Sequence, residues 1–92
     1  MVAIKRFRYL EGIAKGFANH RRIEILTTLA KTPELSLSEI AETLEINMKT
    51  AGEHTRRLTI AGLVMKRNAG NAVRHAVTRR GRSILMFLRT LE

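Results

Sequence analysis

The sequence LSEIAETLEINMKTAGEHTRRLTIAGLV, residues 37–64, decides the fold. Its pattern predicts two short helices that are separated only by the tripeptide EIN. Ser36 and Glu39 form the S-x-x-E pattern of a capping box, so the first helix is expected to begin at Ser36 and to last about two turns. Asn47 is a typical N-cap, and it predicts a second helix over residues 48–61.

The second of these helices has two different sides. Ala51, Thr55, Leu58 and Ala61 recur at helical spacing and form the side that faces a core. The other side is polar and basic, and its residues are Lys49, Thr50, Glu53, Arg56 and Arg57. A tight join between two short helices, the second of them basic on its outer side, is typical of a helix-turn-helix.

A β-hairpin is predicted directly after this pair of helices. Gly62 suits the left-handed position just beyond a helix end. Residues 64–77 read as strand, turn and strand, because side chains alternate between two faces over residues 73–77 and because Gly70 and Asn71 favour a turn. The length of the loop leaves the register of the two strands open.

Three more helices are predicted around this unit. Apolar side chains recur three and four residues apart over residues 3–17. Asn19 is the expected N-cap of the segment HRRIEILTTLAK, which is apolar over a wide arc, should lie at the centre of the fold and should end at Thr32-Pro33. Thr78 is the expected cap of a last helix that reaches Leu91.

These elements predict a mainly α fold with a small β-hairpin. Their order is four helices, a hairpin and a fifth helix, which is that of a winged helix-turn-helix, with the hairpin as the wing. The chain has 92 residues, so we expect one winged helix-turn-helix DNA-binding domain over residues 1–92.

The composition narrows the class of partner. A net charge of +9 on so short a chain implies an anionic partner, which is nucleic acid or, less often, an acidic membrane or an acidic protein. The sequence has no cysteine, which excludes disulfides and thiolate metal sites and is compatible with the reducing cytoplasm, where we expect the protein to act. No apolar run approaches the roughly 20 residues that cross a membrane, so no membrane partner is expected.

The charges are unevenly placed along the chain. Acidic side chains cluster in the middle, at Glu34, Glu39, Glu42 and Glu45. Residues 49–82 contain nine Lys or Arg residues but only one acidic residue, Glu53. We interpret this segregation as a basic footprint in the second half of the chain; a generally basic surface is the alternative.

Three segments carry a resemblance to a known family. GFANHRRIEILTTLA (residues 16–30) resembles the second-helix signature of ArsR-type winged helix-turn-helix repressors, residues 37–64 resemble their DNA-reading unit, and VRHAVTRRG (residues 73–81) resembles the segment after the wing. The T-x-x-G pattern of residues 78–81 is also seen in MarR-like and PadR-like winged helices. The strongest points of the resemblance are Arg22, Ile25, Leu26, Ile40, Ala41, His54, Leu58 and residues 61–64.

The sequence departs from that family at several positions. Glu45 stands where the turn usually carries glycine, so either it adopts a strained φ or the turn differs. Thr55 stands where leucine is usual. The family's metal sensors use cysteines on the third helix, or His and Asp on the last, and this chain has neither set. His20, His54 and His75 are scattered, so we expect no metal and no cofactor, and we expect His54 to pack or hydrogen-bond beneath the reading helix.

The candidate DNA contacts follow from the shape of the major groove, which admits one α-helix. Residues at the start of helix 48–61 should reach base edges, and Arg56 and Arg57 should instead bind phosphate. The wing should touch phosphate or the minor groove. Ser36 and Ser38 resemble the phosphate clamp of the family. The full candidate set is Ser36, Ser38, Asn47, Lys49, Thr50, Glu53, Arg56, Arg57, Arg67, Asn68, Asn71 and Arg74.

The first and last helices carry more apolar side chains than a small helical core can cover. The resemblance implies a homodimer built from residues 3–17 and 79–91, with the two reading helices one DNA turn, roughly 34 Å, apart. The alternative is that these side chains complete the core of the monomer. The candidate interface residues are Phe7, Leu10, Phe17, Ile84, Phe87, Leu88 and Leu91.

The predicted function is that of a dimeric repressor that binds double-stranded DNA sequence-specifically. Two alternatives remain open: a nonspecific architectural or RNA-binding protein, and a winged-helix module for protein contact. No Ser-His-Asp set and no phosphate-cradling glycine loop occurs in the sequence, so no enzymatic role is expected. The sequence does not indicate whether a small-molecule effector exists.

Overall fold

The computed structural model describes residues 2–92. The elements of this part of the chain are α1 (Val2–Phe17), α2 (His20–Lys31), α3 (Leu37–Leu44), α4 (Met48–Ile60), β1 (Val64–Ala69), β2 (Ala72–Val77) and α5 (Arg79–Arg89). The strands form a two-stranded antiparallel sheet. The predicted order of four helices, a hairpin and a fifth helix is therefore confirmed.

Side chains at the helix starts explain why the helices begin where they do. Asn19, Ser36, Asn47 and Thr78 each accept a backbone N–H from the first turn of their own helix, which confirms all four predicted N-caps. At α3 the capping box is complete. The backbone N–H of Ser36 donates to Glu39 Oε1 at 2.8 Å, and the backbone N–H of Glu39 donates to Ser36 Oγ at 3.2 Å. Caps of this kind each stabilise a helix by about 1 kcal/mol.

The core lies around α2, as its wide apolar arc predicts. Ile25, Leu26 and Leu29 are almost completely buried. They belong to one cluster with side chains from α3, from α4 and the residues just after it, and from the base of the wing. These are Ile40, Leu44, Leu58, Ala61, Leu63, Val64 and Val77. Burying a Leu or Ile side chain contributes about 1.5–3 kcal/mol, so this cluster fixes how α3 and α4 sit on α2.

Two glycines permit close approaches between elements. A Cβ on Gly16 would collide with Cβ of Ala61, so α1 crosses the end of α4 at a point where a side chain has no room. A Cβ on Gly81 would collide with the carbonyl oxygen of Leu63 and with the side chain of Val77. Gly81 is the last residue of the T-x-x-G pattern, so the pattern allows α5 to pack directly on the base of the wing.

The structure settles the register of the hairpin. Val64 pairs with Val77 and Met65 with Ala76, and a two-residue turn at Gly70 and Asn71 closes the hairpin. Gly70 has φ of 64°, which glycine adopts without strain. Because directly paired residues share a face, Met65 lies on the opposite face from Val77.

The loop between α2 and α3 pairs with β2 through a single antiparallel bridge between Leu35 and His75. The backbone N–H of Glu34 donates to the carbonyl of His75 at 2.9 Å, and the N–H of His75 donates to the carbonyl of Leu35 at 3.0 Å. The buried His75 ring also bonds to the Leu35 carbonyl through Nδ1 at 2.9 Å, so Nδ1 carries the proton. The wing is thus attached to the helical body at its base.

The backbone agrees with the sequence expectation at Gly62 and differs from it at one helix end. Gly62 has φ of 75°, as predicted. Glu45 has φ of 55°, so of its two alternatives it takes the strained φ. The last helix ends at Arg89, two residues before the predicted end at Leu91. The Thr90 hydroxyl bonds to the carbonyl of Phe87 and so competes for the acceptors of the last turn. None of the helices within residues 2–92 is apolar over the length that a membrane crossing requires.

Candidate nucleic-acid interface

Helix α4 exposes its basic side and buries the other. Ala51, Thr55 and Leu58 are at most 2% exposed, whereas the side chains on the opposite side lie open to solvent. The exposed residues are Lys49, Glu53, Arg56 and Arg57, and Thr50 beside them is half-buried. The fold therefore presents this side of α4 to an external partner.

Three cations on α4 have no partner among the described residues. Within residues 2–92, the side chains of Lys49, Arg56 and Arg57 form no ion pair and no hydrogen bond with another residue. Other arginines are occupied: Arg22, Arg74 and Arg80 all donate to backbone carbonyls. The three α4 cations are therefore available to an anion from outside.

Asn47 sits at the start of α4 and combines a cap with a free donor group. Its Oδ1 accepts the backbone N–H of Thr50 at 2.8 Å, which fixes the orientation of the exposed side chain. With Oδ1 held by the cap, the amide Nδ2 is turned away from that N–H and has two hydrogens to donate. A donor held at a helix start is suited to an acceptor on a base or a phosphate.

Ser36 and Ser38 lie at the start of α3, where their hydroxyl oxygens are 3.1 Å apart. Ser38 is exposed and Ser36 is half-buried. The Glu39 carboxylate already takes the Ser36 N–H, and this bond, the Ser36 hydroxyl and the charge of Arg74 together lower the pKa of Glu39. A carboxylate that remains ionised therefore occupies part of the expected phosphate clamp.

The wing brings two predicted contact residues against acidic side chains. Arg67 forms an ion pair with Glu34, and Arg74 Nη1 lies 3.2 Å from Glu39 Oε1. The interpretation that the acidic cluster lies apart from the basic footprint is therefore wrong for Glu34 and Glu39. Folding brings them to the wing across 33 and 35 residues of sequence, a separation over which no local pattern gives a signal.

Asn68 and Asn71, the remaining wing candidates, are exposed near the tip of the hairpin. Asn68 lies in β1 two residues before the turn, and Asn71 is the second residue of the turn itself. Neither side chain forms a hydrogen bond with another residue among those described. Their amide groups are therefore open to solvent at the end of the wing.

The histidines do not form a metal site. Nδ1 of His54 accepts a hydrogen bond from Arg22 Nε at 3.3 Å, which confirms that His54 hydrogen-bonds beneath α4. His75 is buried in the base of the wing, and His20 is exposed. Residues 2–92 contain no group of three or more His, Cys, Asp or Glu side chains that could hold a metal ion.

The outer faces of α1 and α5 remain partly uncovered. Phe7 is 63% exposed, Phe87 is 54% exposed, and Leu10 and Leu91 are exposed as well. The other three candidate interface residues, Phe17, Ile84 and Leu88, are half-buried. The alternative that all seven side chains complete the monomer core does not account for the four that are exposed.

One contact of this surface has no counterpart in the sequence analysis. The hydroxyl of Tyr9 on α1 accepts a hydrogen bond from Arg80 Nη2, and the Arg80 guanidinium lies 5.4 Å from the centre of the Tyr9 ring. Arg80 Nη1 also donates to the carbonyl of Ala61 at 3.0 Å. Arg80 thus links α1, α4 and α5, although its position in the basic footprint suggests an exterior role.

Comparison with known proteins places this geometry among helix-turn-helix proteins. A family model described as a helix-turn-helix domain matches residues 17–67, which is more than half of the chain. The match covers α2, α3, α4 and part of β1. No curated protein matches the chain.

Solved structures resemble the whole fold. The homodimeric winged helix-turn-helix DNA-binding domain of Mb0332 from Mycobacterium bovis, a possible ArsR-family transcriptional regulator, is 23% identical with a TM-score of 0.87, over 97% of this chain and 82% of that one. Reduced HlyU from Vibrio cholerae is 27% identical with a TM-score of 0.80, over 97% and 94%. The transcriptional regulator HlyU from Vibrio vulnificus is 25% identical with a TM-score of 0.74, over 95% and 91%. The fold is a winged helix-turn-helix.

Proposed function

This chain belongs to the helix-turn-helix domain family, and we propose on that basis that it is a transcriptional regulator that binds double-stranded DNA sequence-specifically. The observation that carries the proposal is the exposed side of α4, where Lys49, Arg56 and Arg57 have no partner within residues 2–92. Cations that a fold leaves exposed and unpaired along one helix side fit a polyanion. The role is one of binding rather than catalysis.

The mode of binding follows from the two ends of α4. Its first turns, from Asn47 to Glu53, enter the major groove and reach base edges, which differ in their donors and acceptors for each base pair. Arg56 and Arg57 lie farther along and bind phosphate, which positions the helix without reading sequence. The wing, residues 64–77, follows the backbone or the adjacent minor groove, with Asn68 and Asn71 at its tip.

The functional unit is a homodimer that acts as a repressor. Support comes from four large apolar side chains that are exposed on α1, on α5 and just after α5, namely Phe7, Leu10, Phe87 and Leu91. Further support comes from the description of the Mb0332 domain as homodimeric. Large apolar side chains left exposed on these helices fit an interface with a second copy of the chain. A two-fold dimer places the two copies of α4 about 34 Å apart, so each copy reads one half of a palindromic site.

Selection from a library of random-sequence duplexes, with the survivors sequenced, tests the proposal. A palindromic consensus with half-sites one DNA turn apart is expected, together with a preference of at least ~10³ over random duplex. Salt-dependent binding without any consensus would favour the architectural alternative. If no duplex binds in a salt-dependent manner, the chain is a protein-contact module and the proposal fails.

A further inference from the structure

Two arginines face each other directly across the wing. Arg67 of β1 is paired with Arg74 of β2, so their side chains lie on the same face of the hairpin. Like charges placed directly opposite one another destabilise a strand pair. The structure places two carboxylates beside them, because Arg67 forms an ion pair with Glu34 and Arg74 bonds to Glu39 Oε1 at 3.2 Å.

Backbone contacts help to position the two carboxylates, and one of them comes from Arg74 Nη1, which donates to the carbonyl of Glu34 at 3.2 Å. Glu34 has φ of 70°, and its N–H bonds to the carbonyl of His75 in the base of the wing. Glu39 is fixed by the capping box with Ser36 at the start of α3. The helical body therefore presents two carboxylates to the wing, and the arginine side chains reach to them.

These ion pairs are built so that another anion can replace them. Arg67 is 62% exposed, and it contacts only Oε1 of Glu34. The second oxygen, Oε2, is buried and has no hydrogen-bond partner in the described chain, so the pair is not the bidentate arrangement that makes an arginine–carboxylate contact strong. Arg74 and Glu39 are also half-exposed. Pairs as exposed as these contribute little to stability, and a phosphate offers each guanidinium an equivalent partner.

We propose that Glu34 and Glu39 limit the DNA affinity of the wing by occupying Arg67 and Arg74 with protein carboxylates in the free protein. DNA phosphate has to displace a carboxylate, and at Arg74 also the backbone carbonyl of Glu34, before either arginine contributes to binding. Nonspecific affinity depends on the number of phosphate contacts, so this device restrains the nonspecific binding of a chain that carries a net charge of +9. The proposal rests on the proposed function, because it concerns the affinity of the same DNA-binding surface.

Glu34→Gln and Glu39→Gln test the proposal on a random-sequence duplex of about three helical turns. Each variant removes the charge and keeps the shape, and glutamine at position 39 preserves the capping box. The dissociation constant should fall about two- to fivefold, which is the range of an exposed ion pair. The plot of log K against log salt should become steeper by up to about 0.9 for each arginine that is released to phosphate.

Glu42→Gln is the matched control, because Glu42 is exposed on α3 and forms no ion pair within residues 2–92. It changes the net charge by the same amount as Glu34→Gln. Near 0.15 M salt, charges beyond about 8 Å are screened, so a purely global charge effect is small. The control should therefore change the dissociation constant much less than either test variant.

A double-mutant cycle with Arg67→Gln tests whether the effect of Glu34→Gln on DNA affinity depends on Arg67. If Glu34 acts through Arg67, Glu34→Gln should have no effect on DNA affinity when Arg67 is already glutamine. The proposal is overturned if Glu34→Gln leaves affinity unchanged or weakens it, or if its gain persists in the Arg67→Gln background. Should Glu34→Gln lower the melting temperature, the Glu39→Gln variant with Arg74→Gln provides the same cycle.

The outcomes separate this proposal from the proposed function. Wild-type protein that binds no duplex at any salt concentration overturns both. Wild-type protein that binds in a salt-dependent manner, combined with an unchanged Glu34→Gln variant, overturns only the role of the carboxylates.

Discussion

Nε of Arg22 donates a hydrogen bond to Nδ1 of His54 at 3.3 Å and so joins α2 to α4. The same guanidinium donates through Nη1 to the carbonyls of Lys15 at 2.8 Å and Gly16 at 3.1 Å, near the end of α1. One side chain therefore ties three helices together behind the exposed side of α4. Because Nδ1 acts as an acceptor, the His54 ring is neutral in this arrangement.

Acidification should weaken this junction. Burial, and then the positive charge of Arg22, lower the pKa of His54 below its ordinary value of about 6.5. Since the folded pKa is the lower one, the contribution of His54 to stability is complete above about pH 6.5 and is lost as the pH falls through the lowered value. Between pH 7.5 and pH 5, the melting temperature of the wild type should therefore fall by more than that of the His54→Gln variant.

His20 and His75 are present in both proteins, so the two melting curves differ only through His54. Melting curves of the two proteins that shift in parallel with pH would show that His54 does not couple protonation to folding.

The double substitution of Arg56 and Arg57 by alanine should weaken DNA binding without unfolding the protein. Both side chains are exposed and have no partner within residues 2–92, so the melting temperature should hardly change. Duplex affinity should fall by about tenfold or more, and the salt dependence should decrease by about 0.9 per lost phosphate contact. Fluorescence anisotropy titrations at several salt concentrations measure both quantities.

Arg22→Ala is the control for this prediction, because its guanidinium bonds to three acceptors in the protein. That variant should melt at a lower temperature. If the Arg56 and Arg57 double variant melts as early as Arg22→Ala, the two arginines have a structural role that the exposed side of α4 does not suggest.

Local sequence signals accounted for the helix starts. The caps act within a single turn of helix, so Asn19, Asn47 and Thr78 could be identified from their neighbours alone. At Glu45, where the resembling family has glycine, the sequence left a strained φ and a different turn open, and the structure has φ of 55°.

Contacts between distant segments could not be derived in this way. The ion pair of Arg67 with Glu34 depends on the hairpin register and on the left-handed φ of Glu34, and neither has a local signature. From the sequence, Arg67 is predicted to contact DNA and Glu34 to belong to a separate acidic cluster. The DNA-binding role of the individual side chains stays a prediction.

Replacing Thr55 by valine should stabilise the protein. Thr55 is 2% exposed, and its hydroxyl has no hydrogen-bond partner in the described part of the chain. Removing an unsatisfied buried hydroxyl while keeping the side-chain shape should raise the free energy of unfolding by about 1 kcal/mol, or the melting temperature by about 5 °C. Thermal or urea unfolding measures the change.

Thr59→Val provides the matched control one helical turn away. The Thr59 hydroxyl donates to the carbonyl of Thr55 at 2.9 Å. Thr59→Val therefore breaks a hydrogen bond, whereas Thr55→Val removes a hydroxyl that has no partner in the described part of the chain. Equal stabilisation by both substitutions would mean that the Thr55 hydroxyl is not the source of the effect.

Phe87→Asp should convert a dimer to a monomer with poor DNA affinity. Phe87 is exposed on α5 beside other exposed apolar side chains. If a second chain covers this face, an aspartate at position 87 would be buried as a charge without a partner, which costs free energy. A monomer holds only one copy of α4, so it loses the second half-site. Sedimentation velocity gives the oligomeric state. Met65→Asp, which places the same charge at an exposed apolar position on the wing, should remain dimeric. If Phe87→Asp and the wild type sediment alike, the outer face of α5 is not the dimer interface.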